Sequence, residues 1–168
     1  MKKGLIYQTI YAYGTPVLQS EHFALAGQQI HHKCTTVALH SMRVAVVSIV
    51  LARLFSGIDM NCLVTAALAH DFGILDRWQV FSGKHDCWYR HPIRTREILE
   101  REYPDTDEKI MQAVESHMWP LAYTMPHSKE AAILCIADKL AACYDMIYGF
   151  GRLHGLCREM SHSESKYD

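Results

Sequence analysis

Long hydrophobic runs are missing from this chain. The most apolar stretch, Val44 to Leu54, is interrupted by Ser48 and Arg53 and is too short to cross a bilayer. The six cysteines include no CxxC, so no structural zinc knuckle is signalled. Net charge is only −1 with histidine neutral, which removes the electrostatic case for nucleic acid or an anionic membrane as partner. Near the amino terminus, Tyr7, Gln8, Thr9, Tyr11 and Tyr13 make the segment too polar for a signal-peptide core. No repeat or low-complexity linker divides the chain, and no stretch has the pattern of a strand or hairpin. Several of the cysteines sit in apolar helical patterns, where a free thiol behaves as a small hydrophobe. Together these absences predict an all-α domain in the reducing cytoplasm, with self-association left open.

What is present is a core and an excess of histidine. The 168 residues are enough for one domain, and 49% apolar against 21% charged argues against disorder. Eleven histidines is a high count for this length. Residues 1–27 read as a helical lead-in, with a helix following Pro16 to about Ile30. His31, His32 and Lys33 read as a loop. Thr35 or Thr36 is placed to cap a helix to about Phe55, ended by Ser56 and Gly57. On it Val37, His40, Val44, Val47, Leu51 and Leu54 share one face.

Asp59 is placed to cap a helix to about Asp71, which carries Leu63, Ala66, Ala67 and His70 on one side. Phe72-Gly73 stops it. Residues 74–90 read as a long irregular connection, a feature that is usually functional or mobile. His91-Pro92 reads as a helix start, with the helix running to about Tyr103. Asp105 or Thr106 caps the next one, which aligns Ile110, Ala113, Val114 and His117. Ser128 starts the last, with Ala131, Leu134, Asp138, Ala141 and Asp145 on a shared side. The main body ends near residue 150, and residues 151–168 form a polar tail, expected to fray beyond Arg158.

His40, His70, Asp71, His91, His117 and Asp138 therefore recur at inward-facing positions of separate helices. A lone histidine on an apolar face is ordinarily a hydrogen-bonded core residue. Asp138 is harder to satisfy. It lies among Ile133, Leu134, Ile136, Ala137 and Leu140, and a buried unpaired carboxylate costs several kcal/mol. Its partner is either a basic side chain or a metal. A single metal centre would satisfy all of these groups together, and imidazole with carboxylate is the donor set for Zn, Mn, Fe or Co.

Three segments carry a family resemblance: His40-Ser41-Met42-Arg43-Val44-Ala45, Ala66-Ala67-Leu68-Ala69-His70-Asp71-Phe72-Gly73, and Ala137-Asp138-Lys139. They resemble the HD-domain superfamily of metal-dependent phosphohydrolases over about residues 28–148. The domain assigned on this basis is 28–150. His117-Met118-Trp119-Pro120-Leu121 is similar to a little-characterised bacterial subgroup. The resemblance implies a helical bundle with a central metal site. His40, His70, Asp71 and Asp138 would hold one ion, and Asp71 would bridge to a second held by His91 and His117. The ions would be divalent (Mn, Fe, Co, Zn, Ni or Mg), and water bridging them would attack phosphorus. His70 and Asp71 leave a helix about 100° apart, which suits them to different ligand directions.

The chain also departs from relatives that hydrolyse cyclic dinucleotides. Met118 stands where they carry a second histidine, Ile74 follows Gly73 in place of lysine, and no GYP occurs. Cyclic di-GMP is therefore not the expected substrate. A nucleotide or other small phosphate ester is, with Asp71 and Lys139 as catalytic residues and Arg43, Arg94 and Lys139 at the substrate. His31 or His32 is a candidate for a further ligand or proton donor. Trp78, Trp88 and Trp119 are each read as packing before base-stacking. Two other readings follow from the same ligands: a di-iron oxygenase, and a nucleotide-binding sensor without turnover.

Overall fold

The computed structural model describes the backbone of residues 3–32 and 35–164 and the side chains of residues 4–31 and 35–147. Eight α-helices make up most of it. They are α1 (Lys3–Leu18), α2 (Glu21–Gln28), α3 (Val37–Ala52), α4 (Met60–Ala69), α5 (Arg77–Val80), α6 (Lys84–Glu102), α7 (Glu108–Ser116) and α8 (Lys129–Glu164). The all-α expectation holds. No described helix is long and apolar enough to cross a membrane.

The helix α4 is the centre of the bundle. Cys62, Leu63, Val64, Ala66, Ala67, Leu68 and Ala69 are all buried, so it is apolar on almost every side, as a central helix must be. Full burial of Leu63 or Leu68 contributes about 1.5–3 kcal/mol each. The helices α1, α3, α7 and α8 pack around α4, and α3 also lies along α8. Ile6 and Ile10 of α1 join the same cluster as Val44, Ile49, Leu68, Val114 and Leu134. The lead-in segment thus contributes to the main core.

Several boundaries follow local chemistry. The Thr36 hydroxyl accepts from Leu39 N–H at the start of α3, and Asp59 accepts from Cys62 N–H at the start of α4. Asp107, not Asp105 or Thr106, accepts from Lys109 N–H and caps α7. Pro16 lies inside α1, so the helix expected after it is divided between the end of α1 and α2. Ser20 caps α2 by accepting from Phe23 N–H. The last helix continues to Glu164, past the expected fraying point at Arg158; residues 165–168 lie outside the described ones.

Two corrections matter for the site. Ile30–His32 and Thr35–Thr36 form a small antiparallel strand pair, where a helix end at about Ile30 and a loop over His31, His32 and Lys33 were expected. β1 (Ile30–His32) pairs with β2 (Thr35–Thr36), Ile30 opposite Thr36 and His32 opposite Thr35. Strands this short offer no alternating pattern to read. The connection expected over 74–90 is also mostly helical. Phe72–Ile74 is a 3-10 turn, α5 follows, and α6 begins at Lys84, so Pro92 lies inside it. Asp86 explains the early start: its carboxylate accepts from the Ser82 N–H at 3.0 Å and faces the Ser82 hydroxyl at 3.2 Å. A proline inside a helix removes one donor and ordinarily costs about 3 kcal/mol, which is why His91-Pro92 reads as a start.

Candidate metal centre

Five helices bring the six expected residues to one place, from their faces or their ends. His40 comes from the middle of α3. His70 is the C-cap of α4 and Asp71 follows it. His91 projects from α6, His117 is the C-cap of α7, and Asp138 lies on α8. All six are buried, with His40 and His70 wholly inaccessible. Close approach of the turn after Asp71 to α6 depends on Gly73. A Cβ there would lie 2.0 Å from the His91 carbonyl oxygen. Gly73 N–H donates to the Thr95 hydroxyl (2.9 Å), which in turn faces the carbonyls of His70 (2.8 Å) and His91 (2.9 Å).

The ring nitrogens have defined roles. Nδ1 of His70 lies 2.9 Å from Ala67 O, that of His91 2.7 Å from Cys87 O, and that of His117 2.6 Å from Val114 O. A carbonyl only accepts, so each Nδ1 is the N–H and each Nε2 points inward. His40 Nδ1 lies 2.7 Å from Asp145 Oδ2 and likewise turns Nε2 to the centre. This second partner fixes ring orientation and tautomer, as is usual behind metal-binding histidines.

Asp71 faces both halves of the cluster. Its Oδ2 is 3.3 Å from His70 Nε2, 3.9 Å from His40 Nε2 and 3.3 Å from His31 Nε2. Its Oδ1 is 3.3 Å from His91 Nε2 and 3.7 Å from His117 Nε2. Asp138 Oδ1 approaches His40 Nε2 at 3.0 Å and His70 Nε2 at 3.6 Å. Three overlapping sets arise, each with donor atoms within 4.8 Å of one another: His31, His40 and Asp71; His40, His70 and Asp138; His70, Asp71 and His117.

These donors fit a cation better than they fit each other. His70 Nε2 is buried and makes no hydrogen bond of good geometry despite two nearby carboxylates. The Nε2 atoms of His91 and His117 face each other at 3.0 Å. Two lone pairs cannot share that gap without a proton or a metal between them. In the protein alone, protons fill the role. Burial opposes charge on His70, but Asp71 and Asp138 outweigh it and lift its pKa to about 10. Burial opposes charge on His91 too, and Asp71 and the Cys87 carbonyl lift it to about 9. Burial and the neighbouring charges of His70 and His91 push His117 down to about 3. Burial works to raise Asp71 and Asp138, yet the surrounding histidines hold both well below the usual carboxylate range.

The cations expected at substrate all have partners within the fold. Arg43 pairs with Asp145 and lies over the Tyr144 ring. Arg94 donates to Gly73 O at 2.8 Å and Leu75 O at 2.5 Å, bracing the turn after the dyad. Lys139 donates to His117 O at 3.0 Å and Cys135 O at 3.2 Å. Trp78 is exposed against Arg77, Trp88 is half-buried beneath Lys84, and Trp119 is partly exposed. His31 reaches the centre; the side chain of His32 lies outside the described ones.

The sequence placed Asp145 on the Asp138 face but gave it no role. The seven-residue spacing from Asp138 was the available signal, since it repeats the same helix face two turns later.

No curated protein and no solved structure matches the chain significantly. A model of the HD domain matches residues 37–143. That span covers more than half of the chain and encloses all six central residues. It also encloses the hydrophobic helix that carries the His70-Asp71 dyad. The chain belongs to the HD-domain family.

Proposed function

We propose that the protein is a metal-dependent phosphohydrolase that cleaves a nucleotide or another small phosphate ester. The observation that carries this reading is the two-sided exposure of Asp71 to imidazole Nε2 atoms, with Oδ2 toward His40 and His70 and Oδ1 toward His91 and His117. Two divalent ions, one on each side of Asp71 and with Asp138 on the His40 side, would supply a water nucleophile at neutral pH and neutralise phosphoryl oxygens. Asp71 holds the two halves in register. The Nδ1 partners keep four Nε2 atoms aimed inward, so the site needs little reorganisation when filled. Burial of the cluster strengthens every charge interaction within it.

Lys139 is the cation best suited to a substrate phosphate. Its partners are two carbonyls and the Cys135 sulfur, so no carboxylate among the described residues neutralises it. Arg94 has only carbonyl partners as well, but it braces the Gly73 turn. Arg43 is charge-matched by Asp145 and acts on His40 through it. The free thiols of Cys62, Cys87, Cys135 and Cys143 support the expected reducing, cytoplasmic setting.

The test pairs metal analysis of the purified protein with a screen of nucleotides, dinucleotides and simpler phosphate esters. Two ions per chain and release of phosphate from at least one substrate are expected. His70→Ala and Asp71→Ala should each lose both bound metal and turnover. Full activity in either variant would sink the proposal, and one ion per chain would remove the roles given to His91 and His117.

A further inference from the structure

We infer that His31 is a seventh donor of the centre, binding through Nε2 the ion held on the Asp71 Oδ2 side by His40, His70 and Asp138. This inference rests on the reading of the cluster as a metal site. His31 comes from β1, outside the helices that supply the other ligands. Its Nε2 lies 3.3 Å from Asp71 Oδ2, as near to that oxygen as His70 Nε2. Its ring lies 4.8 Å from that of His40, centroid to centroid. The donor atoms of His31, His40 and Asp71 fall within 4.8 Å of one another.

The placement is built into the fold. Gln29, just before β1, ties the hairpin to the segment that follows the dyad. Its side-chain amide donates to Ile74 O at 2.8 Å, and its Oε1 accepts from Asp76 N–H at 2.8 Å. Gln29 O also accepts from Val37 N–H at the start of α3. Asp76 adopts a left-handed conformation, φ 56°, which aspartate tolerates better than most residues. From the next position, Arg77 donates to Ile30 O at 3.0 Å and lies 3.4 Å from His31 O. One short segment after Asp71 therefore grips the strand that presents His31.

The two halves of the centre become unequal. On the Oδ2 side His31, His40, His70, Asp71 and Asp138 give five donors. On the Oδ1 side Asp71, His91 and His117 give three. A three-donor set leaves positions open for water and substrate, whereas a fuller set is the holding kind. The Oδ2 side is then the tighter site, and the open positions lie on the His91–His117 side.

Cobalt(II) titration of the full chain tests this, because its visible absorption reports coordination. The wild type should bind in two phases. His31→Ala should weaken the tighter phase by on the order of tenfold or more and alter its visible band, with helical content retained. Added imidazole should restore part of that band. His31→Gln replaces this variant if the alanine form does not fold. On the wild type itself, proton NMR of the cobalt form should show five paramagnetically shifted ring N–H signals, one for each ligand histidine. An unchanged band and affinity in a folded His31 variant, or four such signals, would overturn the role of His31. A wild type that binds no cobalt would overturn the metal reading itself.

Discussion

Asp145 is fully buried and touches groups from two other elements: His40 on α3 through Oδ2, with Arg43 on α3 and Thr35 on β2 through Oδ1. Its charge steadies the His40 N–H from behind. Asp145→Asn keeps the shape and removes the charge. Metal affinity should fall about 10–100-fold, the usual cost of losing such a support, measured by competition with a chelator while circular dichroism confirms the fold. Unchanged affinity would mean that Asp145 only packs. At this scale the six central residues were legible, because His40, His70, His117 and Asp138 interrupt apolar helical faces, and Asp71 and His91 complete the pattern of the family resemblance. Their supports were not. Ala67 O, Cys87 O and Val114 O are backbone acceptors and leave no mark in a sequence. The same is true for Lys139 and Arg94: their nearness to the dyad could be read, but not the carbonyls they bind.

Among the elements, the start of α8 locks two others. Glu130 accepts from Asp59 N–H, at the cap of α4, at 2.7 Å and pairs with Lys109 of α7 at 3.0 Å. Burial opposes its charge, but those two donors hold its pKa below the ordinary 4.5. A depressed carboxylate contributes stability above its unfolded pKa and loses it as pH falls through the folded value. Glu130→Gln should therefore cost about 1–3 kcal/mol at pH 7 by urea unfolding. The gap should narrow below pH 4.5, as wild-type Glu130 takes up its proton. A gap independent of pH would assign the loss to packing. Elements with a side-chain cap next to an apolar run, such as α3 and α4, were readable from Thr36 and Asp59. The hairpin and the first two turns of α6 were not. The hairpin is too short to show a period, and Lys84–Arg90 is too polar to show a buried face.

For the molecule as a whole, protons and metal compete for one cavity. His70 at about 10 and His91 at about 9 both carry an extra proton at neutral pH when no metal is bound. Metal must displace those protons, so affinity rises with pH and binding acidifies the solution. Titration in weakly buffered solution at pH 6 and pH 8 should show tighter binding at pH 8 and proton release at both. Loading should also raise the melting temperature, by an amount worth about 2.7 kcal/mol when free metal is a hundredfold above Kd. Absence of proton release would disprove the proton-filled cavity. The helical bundle was legible from the helical spacing of apolar residues and from the family resemblance, whereas the central place of α4, apolar on nearly every side, emerges only from the packing. The join between α1 and that core was less legible, since its exposed tyrosines mask the buried Ile6 and Ile10.

His70 and His117 also end their helices. Each is a C-cap whose Nδ1–H reaches back to a carbonyl in the last turn, Ala67 O and Val114 O. Those carbonyls are among the acceptors that a helix end leaves without an intrahelical donor. The imidazole thus closes the helix with one nitrogen and addresses the cavity with the other. Replacing either histidine by alanine removes a helix stop as well as a donor, so α4 or α7 loosens at its end even in metal-free protein. Binding capability and the length of the helix are written in the same side chain, and neither can drift without the other.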